Sequence, residues 1–250
     1  MSDSRVVILN YHRIVPDGAE TGFYDVSLSK FRAQMELLAQ RRVDMTHCAL
    51  NLHGSLTTYV TFDDGTDDHV MVGELLSELG LRGVFFVISG LLDTPGRLTS
   101  AQVRHLSATG NLIGSHTVSH PRLPQVSDDV LRAELLDSRT ALESIVGVPV
   151  DWLAPPGGYF DSRVLNAAAD AGYEVVRTME WGYAEFPLHG RVPTLPVLPS
   201  YTQAGFIRLI EGHAPLWRYQ IKRLLKQALS EDRYVALRDA AGRIARRGGG

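Results

Sequence analysis

The sequence predicts a parallel α/β fold, with strands joined by helical crossovers into an open sheet or a closed barrel. Two observations carry this prediction. Short apolar runs rich in β-branched residues alternate with segments of helical periodicity from about residue 6 to residue 200. The chain has 250 residues, 44% hydrophobic and 21% charged, which supplies a core for one large domain or two small ones and excludes a disordered chain.

Residues 6–11 (VVILNY) read as a buried strand. Residues 28–40 carry Phe31, Met35, Leu38 and Ala39 at helical spacing, with Ser29 as a candidate cap. Residues 57–62 (TTYVTF) are β-branched and aromatic, which suits a strand. A helix follows over 67–79, through Val70, Leu75, Leu76 and Leu79, and Gly80 and Gly83 punctuate its end. Residues 84–88 (VFFVI) are a strand, 99–108 a helix capped by Thr99 or Ser100, and 112–115 a short strand. The longest helix spans 127–146 and opens on Ser127-Asp128-Asp129. A strand at 150–154, a helix at 162–171 and a strand at 175–178 continue the alternation. The proline-spaced segment 192–199 leaves room for one more short strand.

From Tyr201 the character changes. Residues 204–211 read as a helix. Residues 216–229 (LWRYQIKRLLKQAL) place Trp217, Ile221, Leu224, Leu225 and Ala228 on one face and Arg218, Lys222, Arg223 and Lys226 on another. This suits a helix docked on the domain, or an interfacial helix touching anionic lipid. Residues 243–250 are expected to be a frayed tail. The expected division is a main domain over 1–212 and a C-terminal amphipathic helix with a basic tail over 213–250.

A net charge of -3 offers no global electrostatic case for nucleic acid. Cys48 is the only cysteine, which excludes an intramolecular disulfide and thiolate metal clusters. No run approaches the roughly 18–20 apolar residues of a membrane span. The opening MSDSR leads into an apolar run too short for a signal-peptide core, so a cytoplasmic location is expected.

The chemistry is concentrated in two segments. Thr61-Phe62-Asp63-Asp64-Gly65 places two carboxylates at the end of one strand, and Gly114-Ser115-His116-Thr117-Val118-Ser119-His120 places two histidines after another. In a parallel α/β layout, loops at the carboxyl ends of strands converge on one site. Neighbouring residues of an extended segment point to opposite sides, so one aspartate can ligate a metal while the other faces substrate. Histidines at i and i+4 share one face of a helical turn, at a separation that suits a common ion. One carboxylate and two imidazoles fit a divalent metal with an open position, and the spare carboxylate fits a base. The pattern reads as metal-assisted hydrolysis.

TFDDG followed by SHTVSH resembles the first two motifs of the polysaccharide deacetylase family, the NodB-type carbohydrate esterases of family four. The opening Tyr11-His12-Arg13 is similar to the start of its exopolysaccharide-deacetylase branches. The resemblance covers roughly residues 5–200 and implies a distorted (β/α) barrel with a C-terminal helical extension. It implies Asp63 as general base and Asp64, His116 and His120 as ligands of a divalent metal, most often Zn2+, with Co2+, Ni2+ or Mn2+ in some members. It implies hydrolysis of an N-acetyl group on a sugar or glycoside by an activated water.

Two departures stand out. The third family motif, Arg-Pro-Pro-Tyr-Gly, is here Ala154-Pro155-Pro156-Gly157-Gly158. The arginine that pairs with the base is thus Ala154, so another residue must orient Asp63 or the enzyme must be slower. The oxyanion donor is a backbone amide, and Gly157 can supply it. The last motif, which carries a histidine as general acid, has no clear copy. His189 and His213 are the candidates, and His12 is a further site residue. Trp181 and Tyr183 suit stacking on a sugar ring or covering the barrel mouth. The expected partner is a small acetylated sugar or glycoside, with membrane contact only for a lipid-linked one and no bearing on oligomeric state. Deformylation, cyclic-amide hydrolysis and a glycan-binding homologue with weak turnover are the alternatives.

Overall fold

The computed structural model describes residues 5–19, 22–52 and 56–216. The chain divides into two compact units, Met1–His213 and Ala214–Gly250. The amphipathic segment beyond Leu216 and the basic tail lie outside the described residues. Among the described residues, no helix is long and apolar enough to cross a membrane.

Seven parallel strands close into a barrel. They are β1 (Arg5–Tyr11), β2 (Thr57–Phe62), β3 (Val84–Val87), β4 (Leu112–Ser115), β5 (Trp152–Leu153), β6 (Val175–Trp181) and β7 (Gly190–Pro196). Each pairs with the next in parallel. The ring closes where β7 pairs with β1, Leu9 against Leu195 and Asn10 against Pro196. Thr194 Oγ1 adds a 2.7 Å bond to the Ile8 carbonyl across that seam. Helices α1 (Leu28–Arg41), α2 (His69–Glu78), α3 (Ser100–Ala108), α4 (Asp128–Val146) and α5 (Ser162–Asp170) intervene between strands, and α6 (Gln203–Ile210) follows the barrel.

Strand parity sorts the side chains. Val6, Ile8, Tyr59, Val84, Phe86, Ala154, Val175 and Val192 share one buried cluster with Leu112 and Trp152, drawing on all seven strands. The opposite parity faces the helices: Tyr11 and Phe62 meet Phe31 of α1, and Phe62 and Phe85 meet His69 of α2. Gly114 lies on the inward parity of β4, where a Cβ would sit 2.6 Å from the Phe86 ring, so only glycine fits. Cys48 joins the inner cluster, fully buried, with its Sγ 3.2 Å from the Gly83 carbonyl.

The expected elements are present, with several adjustments. Ser27 rather than Ser29 takes the N-cap position of α1, without a side-chain capping bond, and the Ser29 hydroxyl instead donates to Asp17 at 2.7 Å. Thr99 and Gln102 form a full capping box on α3. Ser127 caps α4, which ends on left-handed Gly147, and Asp161 caps α5. The strand at 150–154 shortens to Trp152–Leu153. The proline-spaced segment becomes the seven-residue closing strand. Pro193 lies where pairing slips between Val192–Arg177 and Thr194–Trp181, so its missing N–H falls at a bulge. The structure adds a hairpin of Arg42–Thr46 and Ala49–Leu52 that the sequence pattern does not mark. The first of these strands is mostly exposed and lacks apolar alternation.

Candidate metal centre and active site

The carboxyl ends of the strands carry the polar cluster. The inward parity that is apolar low in the barrel turns polar at the top, with Asn10 on β1, Thr61 and Asp63 on and after β2, His116 after β4 and Arg177 on β6.

Asp63 is buried, and its amide donates to the Tyr11 carbonyl at 3.0 Å. Its Oδ2 accepts from Asn10 Nδ2 at 3.2 Å, and its Oδ1 is paired with the Arg177 guanidinium. Arg177 is 1% exposed, lies over the Phe86 ring at 4.8 Å and donates to Met179 Sδ at 3.1 Å. Burial opposes ionisation of Asp63, but Arg177 first, then His116 and His12, outweighs it and holds the carboxyl below its ordinary range. Arg177 therefore supplies to Asp63 the paired charge that Ala154 cannot. No motif marked it. The available signal was a lone charge inside the otherwise apolar start of β6, VVRTMEW.

Asp64 sits at φ 78, a conformation that non-glycine residues rarely adopt. Arg97 braces it by donating to the Asp64 carbonyl at 2.7 Å. Its Oδ1 lies 3.5 Å from His116 Nε2 and 3.6 Å from His120 Nε2, and the three ligand atoms fall within 4.8 Å of one another. Zinc bonds of about 2.0–2.1 Å at a tetrahedral angle separate ligand atoms by about 3.3 Å, so the triangle fits a divalent ion. His116 Nδ1 donates to the Ala154 carbonyl at 2.6 Å, which leaves Nε2 as the ligating nitrogen. Burial works against ionisation of Asp64, yet the hydrogen bond and charge of His116 hold its carboxyl well below the usual range.

The histidine pair does not sit on a helical turn, contrary to the expectation from spacing. The segment is an irregular loop, with Thr117 at φ 68 and His120 at φ 63. Glu134 of α4, nearly buried, fastens it. Its carboxylate accepts from the Val118 amide at 2.8 Å, the Ser119 amide at 2.9 Å and the Ser119 hydroxyl. Thr117 Oγ1 accepts the His120 amide at 3.1 Å, and Ser115 Oγ accepts the Thr117 amide at 3.1 Å.

The remaining candidates divide by barrel end. His12 follows β1 at the site end, with Nε2 3.8 Å from Asp63 Oδ2. Gly157 occupies the turn after β5 at φ 60. The turn's own bonds use the amides of Gly158 and Tyr159 and not that of Gly157. Trp181 ends β6 on the same side, half-buried. His189 is not brought to the cluster. It precedes Gly190, which pairs with Val175 at the start of two strands, so it lies at the opposite mouth. His213 also lies there, beyond α6, whose Ile210 carbonyl accepts the Leu56 amide just before β2. Tyr183 packs at that end too, under Arg5 at 5.8 Å.

A family model described as polysaccharide deacetylase matches residues 53–176. A peptidoglycan-N-acetylglucosamine deacetylase of Bacillus cereus is 32% identical over 130 residues, 51% of this chain and 57% of the relative. A chitooligosaccharide deacetylase of Rhizobium leguminosarum bv. trifolii is 29% identical over 126 residues, 49% of this chain and 55% of the relative. The chain thus spans a little over half the length of these curated relatives. The solved structure of Streptococcus pyogenes deacetylase PplD in complex with acetate shares the fold, with a TM-score of 0.73 at 24% identity over 83% of this chain and 98% of that one.

Proposed function

Because the chain belongs to the polysaccharide deacetylase family, we propose that it hydrolyses the N-acetyl group of an acetylated sugar, with Asp63 as base and Asp64, His116 and His120 holding a divalent ion, zinc first. The observation that carries this reading is the ligand triangle of Asp64, His116 and His120 directly beside a buried, ionised Asp63. When bound there, the ion polarises the acetyl carbonyl and acidifies a water. The chain's own groups do the rest. Arg177 keeps Asp63 anionic and Asn10 fixes its second oxygen, so the carboxylate is ready to take the water's proton. The Gly157 amide is available to a developing oxyanion, and the Trp181 ring to the sugar face. The names of the Bacillus and Rhizobium relatives favour an N-acetylglucosamine-containing oligosaccharide as substrate.

Acetate release from N-acetylglucosamine oligomers, by zinc-loaded protein, tests the reading. Activity is expected to vanish with chelator and to fall by at least about 10²-fold in Asp63→Asn, the usual scale for losing a general base. Asp63→Asn is expected to retain its zinc. A zinc-replete wild-type protein that releases no acetate from any sugar amide would sink the proposal.

A further inference from the structure

An arginine facing a carboxylate ordinarily takes both oxygens, because two guanidinium N–H groups match the two acceptors in parallel. Arg177 does not. Its Nη2 is paired with Asp63 Oδ1, while its Nη1 turns to Met179 Sδ at 3.1 Å. Asp63 Oδ2 accepts one bond among the described residues, from Asn10 Nδ2 at 3.2 Å. Asn10 divides itself in the same way. Its Oδ1 accepts from Thr61 Oγ1 at 3.1 Å, which turns Nδ2 toward both Asp63 and Met179, with the sulfur 3.6 Å away. One thioether therefore meets both donors that hold the base.

The fold places that sulfur. Arg177 and Met179 are two apart on β6, so they share a face. Pairing with β7 slips between Arg177 and Trp181, and such bulges re-aim side chains beside active sites. On its far side Met179 backs onto the turn after β5. A Cβ at Gly158 would fall 2.4 Å from Met179 Cβ and 2.6 Å from its Cγ. Backbone on one side and the two donors on the other confine the side chain. The sulfur also matters to Arg177 itself. The guanidinium is buried, and its Nε has no hydrogen-bond partner among the described residues, so the bond to sulfur is one of two that it makes there.

We propose that Met179 is a positioning residue for hydrolysis: its sulfur holds one guanidinium nitrogen of Arg177 and one amide hydrogen of Asn10 away from Asp63, so that Oδ2 keeps a lone pair for the proton of the attacking water. The inference rests on the deacetylase reading of this site. Without the sulfur, Nη1 becomes a buried donor with no acceptor, and a fork already seated on Oδ1 meets that need by closing on Oδ2. A bidentate Arg177 then occupies the lone pair that the water's proton needs. The change is confined to the base, so it slows the chemical step and leaves substrate and zinc binding as they are.

The test compares Met179→Leu and Met179→Gln with wild type, all zinc-loaded, on an N-acetylglucosamine oligomer. Leucine fills a similar volume and accepts no hydrogen bond, whereas glutamine keeps the length and offers an amide oxygen. In Met179→Leu, kcat is expected to fall about 10-fold, the scale of one neutral hydrogen bond, with KM, zinc content and circular dichroism unchanged. A crystal structure of that variant is expected to show both terminal nitrogens of Arg177 on Asp63, each at about 2.8 Å. Met179→Gln is expected to recover most of the rate. Met179→Ile carries the comparison if Met179→Leu does not fold. A wild-type kcat in Met179→Leu, equal losses in the leucine and glutamine variants, or a loss read in KM or zinc content would overturn the assignment. Wild-type protein that cleaves no sugar amide would overturn the deacetylase reading itself, and the assignment with it.

Discussion

Arg177 and Asp63 form a buried ion pair whose two members depend on each other unequally. Removing the arginine leaves a carboxylate in the barrel without its counter-charge, which costs about 3–5 kcal/mol in comparable pairs. Arg177→Met is therefore expected to lower thermal stability substantially, and Asp63→Asn in the same chain to restore part of it, as read by calorimetry. The pH dependence follows in sign. Asp63 titrates below its ordinary value, so the pair's stabilisation is full above the unfolded carboxylate pKa of about 3.9 and is lost as pH falls through the lower folded value. The acid limb of kcat/KM in wild type should lie below the usual carboxylate range and move upward in Arg177→Met. The sequence showed that an arginine was missing at Ala154 but not where its substitute stood. Partnership across strands 114 residues apart is set by barrel closure, which local spacing does not record.

The loop carrying His116 and His120 is held by an element remote in sequence, α4. Glu134 satisfies two loop amides and a hydroxyl that the left-handed residues Thr117 and His120 cannot bond locally. Glu134→Ala should leave three donors unmet and loosen the placement of His120. Zinc affinity by titration calorimetry is expected to drop 10–100-fold, the usual effect of losing a group that orients a ligand. If affinity does not change, the loop is held by its own Thr117 and Ser115 bonds. The ligand identities were legible in SHTVSH, but their geometry was not. A spacing of four fits a helical turn and a bent loop equally well, and only tertiary hydrogen bonds choose between them.

At the scale of the molecule, alternation of strand and helix made the architecture legible, while closure was hidden in a strand with two prolines. The barrel core of Val6, Ile8, Tyr59, Phe86, Val175 and Val192 lies below the metal ligands and does not depend on them. Chelation is therefore expected to leave the circular dichroism spectrum intact. Zinc at about 1,000 times its dissociation constant contributes about 4 kcal/mol, so its removal should lower Tm by about 10 °C in a chain this long. Unfolding on chelation alone would show that the ion is part of the core. The seam between β1 and β7 has a further consequence. Leu9 and Leu195 meet across it, yet a ribosome delivers one near the start of the domain and the other near its end. Throughout that interval one edge of VVILNY shows backbone donors and acceptors that Ala184–Glu185 take at its start and β7 at its end. The contact that leaves the finished barrel without an edge therefore leaves the nascent chain with one, apolar and β-branched, that needs shielding from neighbouring nascent chains until residue 196 has emerged.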